Sequence, residues 1–160
     1  MRRVVTIGVY GFAVDTFLAA LREAGVGLVV DVRQRRGVRG SQYAWANSQR
    51  LQAALSDTEI GYAHHPELAP TTELRRLQYR EDERQGVGKR SRVELAPQYV
   101  ERYTREILDR VDLEEFVADL PADGVSALLC VERDAAACHR SLVAARLERE
   151  CGVAVEHLGP

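Results

Sequence analysis

The chain reads as an α/β protein, a single-domain Rossmann-like fold with a mostly parallel sheet of about five strands covered by helices. Three observations predict it. Short apolar runs alternate with helix-period segments over most of the sequence. The run Gly27 to Arg33 is apolar almost throughout, as suits a strand covered on both faces. At 160 residues and 17.9 kDa the chain fits one domain, residues 1–160, large enough to bury a core without disulfide staples.

Val4 to Val9 is the first strand, ending at Tyr10-Gly11. A helix over 13–24 follows with Val14, Phe17, Leu18 and Leu21 on one face, stopped by Gly25. The second strand is Gly27 to Arg33, and a helix from Ser48 to Asp57, with Asn47 as its cap, leads to a weaker third strand at Ile60 to His64. Residues 71–94 lose periodicity and become charge-dense, which reads as an excursion or lid carrying a short helix. A helix over 97–111 should turn Val100, Tyr103, Ile107 and Leu108 inward, and a short helix covers 113–120. Pro121 to Gly124 turns into the fourth strand, Val125 to Val131. A last helix over 135–151 stops at Gly152, and Val153 to Leu158 is the final strand.

A formal net charge of −2 and a pI near 6.1 exclude wholesale polyanion binding, so contact with nucleic acid requires a local basic patch. Three cysteines, no secretory signal and no long apolar run predict reduced thiols in a cytoplasmic protein without membrane contact.

The chemistry-bearing residues concentrate where strands end, the edge at which open α/β sheets bind ligands. Cys130 and Glu132 are two apart at the end of the fourth strand and share a face. Cys138 falls in the opening of the next helix, where free N–H groups and the helix dipole favour a thiolate, and Arg140 adds its charge. His139 precedes Val143 and Leu147 at helical spacing, which turns its imidazole toward the sheet. The competing structural reading makes Cys130 a small core residue and pairs Glu132 with Arg133 or Arg140. No metal is expected, because Cys-x7-Cys-His is not a standard zinc spacing and adjacent Cys138 and His139 would diverge on a helix. A phosphatase loop fails too, since Ala136 stands where its arginine belongs.

A second cluster follows the second strand. Between Asp31 and Asp57 there is no acidic residue, while Arg33, Arg35, Arg36, Arg39 and Arg50 gather with Tyr43 and Trp45. Arginine forks suit phosphate or carboxylate, and either aromatic can stack a base; the competing reading is a solvated loop whose Trp packs on the body. His64-His65 follow the third strand, one facing the crevice and the other solvated; the competing reading gives the pair a turn-forming role. Gly8-Val9-Tyr10-Gly11 permits close approach of a ligand but lacks the dinucleotide fingerprint, so no cofactor is expected.

Thr6-Ile7-Gly8, Asp31-Val32-Arg33, His64 or His65 with Pro66-Glu67-Leu68, Cys130-x-Glu132 and Cys138-His139-Arg140-Ser141 together resemble the domain of unknown function 488 family. The resemblance implies a compact Rossmann-like sheet with these pieces gathered at one edge. Members carry a His-Ser pair after Thr-Ile-Gly where this chain has Val9-Tyr10. Two functions follow from the residues. In the first, a small anion, nucleotide or nucleic-acid phosphate is bound at the strand edge by Asp31, Arg33, Arg35, Arg36, Arg39, Tyr43, Trp45, His64, His65 and Arg140. Cys138 or Cys130 then serves as nucleophile, His139 as acid or base and Glu132 as its orienting partner. In the second, the chain is a non-catalytic nucleic-acid-binding module working through the loop over 33–50.

Overall fold

The computed structural model describes residues 1–160. Five strands form one sheet: β1 (Arg2–Gly8), β2 (Val26–Asp31), β3 (Gly61–His64), β4 (Gly124–Cys130) and β5 (Ala154–His157), in the order β3-β2-β4-β1-β5. Every pairing is parallel, so all five strands end at the same edge. There Gly8 pairs with Cys130, and Asp31 lies opposite Leu129 on one side and His64 on the other. The central β4 is buried from Val125 to Cys130, which explains why its sequence shows no polar alternation.

Helices α1 (Val14–Glu23) and α2 (Ser48–Asp57) turn Phe17, Leu21, Leu51 and Leu55 into the core, each side chain contributing about 1.5–3 kcal/mol by its burial. Gly25, at φ 73°, ends the turn after α1 in a conformation that side chains resist. Asn47 precedes α2 but does not cap it: its Oδ1 instead accepts the N–H of Val38 at 2.7 Å, closing the arginine loop onto the helix start.

The charge-dense excursion contains a full helix, α3 (Thr72–Gln85), longer than its sequence suggests. Thr71 caps it by accepting the Leu74 N–H, and Gly86 ends it in the left-handed region. Its buried stripe is Leu74, Gln78 and Asp82, a four-residue spacing in which two of three members are polar, so no apolar period is visible. Those polar groups are consumed internally. Gln78 donates to Asp82 (2.8 Å) and accepts the Ala96 N–H (2.8 Å), tying the following loop to the helix.

Helix α4 (Pro97–Glu106) is shorter than expected and passes into a 3-10 turn at Leu108–Arg110. It buries Tyr99 and Tyr103, while Val100 and Ile107 are only partly covered. The Tyr103 hydroxyl donates to the carbonyl of Leu68, which lets a phenol occupy a core position. Helix α5 (Leu113–Ala118) begins at Asp112, whose carboxylate accepts the Glu115 N–H, and α6 (His139–Cys151) follows β4 through a 3-10 turn at Ala135–Ala137. No helix is long and apolar enough to cross a membrane.

Candidate functional site

Gly8 sets the geometry of the strand edge. A Cβ built on it would lie 1.8 Å from the carbonyl oxygen of Glu132, so only glycine lets the end of β1 meet the segment leaving β4. The glycine expected to admit a ligand thus admits the protein's own backbone. Val9 and Tyr10 both donate N–H groups to the carbonyl of Val131, which fixes where Glu132 begins.

Cys138 is the N-cap of α6, in extended conformation at φ −137° and ψ 147°, with its sulfur accepting the Arg140 N–H at 3.5 Å. Because it precedes the helix, its side chain does not diverge from that of His139. The imidazole Nδ1 lies 3.7 Å from Cys138 Sγ and 3.7 Å from Cys130 Sγ. This removes the argument from helix geometry against a shared metal. The other ring nitrogen, Nε2, pairs with the carbonyl of Val32 at 2.9 Å. Cys130 donates toward Glu132 Oε2 at 3.4 Å, and Glu132 Oε1 accepts from Arg92 at 2.9 Å.

The electrostatics separate the two thiols. Burial works against ionising Cys138, yet the hydrogen bond from Cys130 and the positive charges of His139 and Arg140 hold it well below the ordinary thiol range. Burial, the bond to Cys138 and the neighbouring negative charges push Cys130 well above it. Burial opposes protonation of His139, but the Cys138 thiolate raises its affinity for a proton. Burial and the Cys138 charge raise Glu132, against Lys89 and Arg92. The cluster has one acidic thiol beside one basic imidazole.

Above these groups lies a narrow cleft lined by Cys130, Glu132, Cys138 and His139 and by the cations Arg33, Arg35, Arg75, Lys89 and Arg92. Glu132 is the only carboxylate among the lining residues. Two of the cations are already engaged. Arg33, 2% exposed, donates from Nε and Nη2 to Asp31 and from Nη1 to the Ala46 carbonyl. Arg92 bridges Asp82 (2.6 Å), Glu132 and the carbonyl of Ala137. Arg35, Arg75 and Lys89 form no ion pair, and burial of Lys89, unfavourable in itself, is outweighed by Glu132, Tyr79 and Tyr10, so it stays charged. These three have no carboxylate partner, although the Arg75 guanidinium donates to Gln34 at 3.0 Å and to the Tyr79 hydroxyl at 3.1 Å.

The remaining expected residues divide. Asp31 is fully buried behind Arg33 and also accepts from the Tyr62 hydroxyl at 2.6 Å. Arg140, 0% exposed, donates to Thr6 and to the carbonyls of Glu132 and Arg133, so it braces the strand ends. Arg36 reaches Tyr62 rather than the cleft, and Arg39 lies in an adjoining open groove with Tyr10, Arg35, Arg75, Tyr79 and Lys89. Tyr43 is buried beneath the Arg90 guanidinium, its hydroxyl accepting the Gly11 N–H. Trp45 is partly buried and packs on Phe17 with ring centres 4.9 Å apart, a contact that commits one part of its ring to the body. His64 pairs with the Arg33 carbonyl at 3.0 Å, while His65 pairs with Glu67 and lies edge-on to Phe116, outside the cleft.

Sequence reading missed Arg75, Lys89 and Arg92. Tyr79 four residues after Arg75 was a usable signal, since the Arg75 guanidinium donates to that hydroxyl at 3.1 Å. Nothing local pointed to Arg92, whose partner Glu132 is 40 residues away. A family model described as Domain of unknown function DUF488 matches residues 13–147, and the chain belongs to that family. No curated protein and no solved structure matches it.

Proposed function

We propose that this DUF488 member binds a phosphate-bearing anion, a nucleotide or a nucleic-acid phosphate, in the cleft at the strand carboxyl edge, and performs Cys/His-dependent chemistry on it. The observation that carries this reading is the meeting of three cations without ion-pair partners, Arg35, Arg75 and Lys89, over the Cys138–His139 pair. Cations without carboxylate partners at the mouth of a cleft leave their charge unneutralised, and an anion there would pair with them. Cys138 Sγ would attack an electrophilic carbon or phosphorus of the ligand, forming the S–C or S–P bond as the bond to the leaving group breaks. His139 Nδ1 would give the leaving group its proton, and water would then release the product and restore the thiol. Three free cysteines suit a reducing, cytoplasmic setting.

Joint replacement of Arg35, Arg75 and Lys89 by alanine is expected to weaken binding of a nucleoside triphosphate at least about tenfold, roughly 1.4 kcal/mol, and to flatten its salt dependence. Calorimetric titrations at two salt concentrations measure it. A wild-type chain that binds neither the triphosphate nor a single-stranded oligonucleotide at low salt overturns the reading. The adjoining groove, with Arg39 and Tyr10 and no carboxylate, favours the oligonucleotide as the longer ligand, and Arg39→Ala should then weaken the oligonucleotide selectively.

Thiol labelling gives a second check, with chelator present. Cys138 is 1% exposed, so a reagent reaches it only through the cationic cleft. Iodoacetate should therefore modify Cys138 faster than neutral iodoacetamide does, with that preference lost at high salt and absent at Cys151. Mass spectrometry of peptides from both reactions reads the ratio, and equal reagent preference at the two cysteines would contradict a cation-lined approach.

A further inference from the structure

We propose that Cys130, Cys138 and His139 form a binding site for a soft divalent cation of the zinc class, with one coordination position facing the cleft. This goes beyond the anion reading and does not depend on it. The two sulfurs and Nδ1 all lie within 4.8 Å of one another, and both sulfur–nitrogen separations are 3.7 Å. Tetrahedral zinc, with bonds of about 2.3 Å to sulfur and about 2.0 Å to nitrogen, has S···N edges of about 3.6 Å and S···S edges of about 3.8 Å. The two sulfur–nitrogen separations thus match such edges, and the two sulfurs, within 4.8 Å of each other, close to the third edge as they bind the ion.

The surroundings match what a metal-binding histidine needs. Nε2 donates to the Val32 carbonyl at 2.9 Å, so in the neutral ring the lone pair is on Nδ1, facing both sulfurs. Glu132 is held in the same way: Arg92 fixes Oε1, leaving Oε2 at 3.4 Å from Cys130 Sγ, near enough to serve as fourth ligand or to hold a metal-bound water. Two thiolates and a carboxylate would carry three negative charges in a buried pocket. A dication reduces that to one, which the Arg92 and Arg140 guanidiniums beside the cluster balance. Thiolate ligands select zinc over magnesium or calcium.

The ligands come from two elements that meet only in the fold, Cys130 at the end of β4 and Cys138 with His139 at the start of α6. All three line the cleft, so a substrate oxygen or water can complete the coordination, the arrangement of a reactive rather than a closed structural site.

The experiment uses the full chain purified without chelator, analysed for metal by mass spectrometry, then stripped and titrated with cobalt(II). Expected are about one zinc per chain and a cobalt complex with tetrahedral bands and a thiolate-to-metal charge-transfer band. Cys130→Ser and Cys138→Ser should each halve the charge-transfer intensity and weaken zinc binding more than tenfold, while Cys151→Ser leaves both unchanged. Less than a tenth of an equivalent of zinc with no charge-transfer band, or a band indifferent to both Cys130→Ser and Cys138→Ser, overturns the site. Should those variants misfold, stoichiometric zinc added to the stripped wild-type chain must protect Cys130 and Cys138, but not Cys151, from alkylation; equal labelling of all three overturns it. Triphosphate binding is measured on the same samples. A chain that takes zinc but no anion supports the site and overturns the ligand reading, and the converse overturns the metal site alone.

Discussion

Gly8→Ala is expected to destabilise the protein by about 3 kcal/mol or more, at the upper end of what overpacking costs in a close-packed interior. The added methyl would sit 1.8 Å from the Glu132 carbonyl oxygen and 2.8 Å from its carbon, both backbone atoms that no rotamer change can clear. One strand end must move. Val9 and Tyr10 then lose their shared acceptor at Val131, and the Arg140 guanidinium, which bonds the Glu132 carbonyl at 2.7 Å, loses its seat. Because Glu132 and Cys130 belong to the displaced segment, ligand binding should fall as well. Gly27→Ala is the control: a Cβ there meets nothing within 4 Å, and surface changes of this kind stay within roughly 0.5 kcal/mol. Urea unfolding of both variants decides the matter, and a Gly8→Ala midpoint equal to that of Gly27→Ala would show that the two strand ends are not so tightly opposed.

Arg92→Met should cost about 3–5 kcal/mol, the range for removing one partner of a buried ion pair. The guanidinium is 8% exposed and joins Asp82 of α3, Glu132 beyond β4 and the carbonyl of Ala137, so one side chain holds the excursion against the sheet edge. Methionine keeps the volume but leaves two buried carboxylates without a cation. The loop following α3, anchored by Arg92 and by the bond from the Ala96 N–H to Gln78, should open first, exposing Lys89 and Arg90 to trypsin. Arg92→Lys keeps the charge without the fork and should fall between. Native-state proteolysis read by mass spectrometry locates the opening; cleavage elsewhere first, or an unchanged urea midpoint, would mean that the excursion is held by other contacts.

The sequence made the alternation of strands and helices readable because apolar periodicity is a local property, and the parallel sheet follows from the intervening helices. Cys130, Glu132, Cys138 and His139 were legible as one site for a related reason: they lie close in the chain, where a strand end passes into a helix start. Helix α3 was legible only as a short helix within a charged excursion, not at its full length. Its inward stripe ends in Gln78 and Asp82, whose burial is tolerable only because Ala96 and Arg92, remote in sequence, satisfy them.

By itself the sequence determined the fold class and the four groups, Cys130, Glu132, Cys138 and His139, that meet at one end of the sheet. Only the tertiary structure decided which cations serve the fold and which face the cleft. Arg33 and Arg140 look like ligand contacts in the chain, yet both are enclosed and spend their donors on Asp31, Thr6 and backbone carbonyls. Arg35, Arg75 and Lys89 are left facing the cleft. An arginine's chemistry is the same in either role. What separates them is whether the charged group is enclosed among the protein's own acceptors or left at the rim of the cleft, and that is set by how distant segments pack.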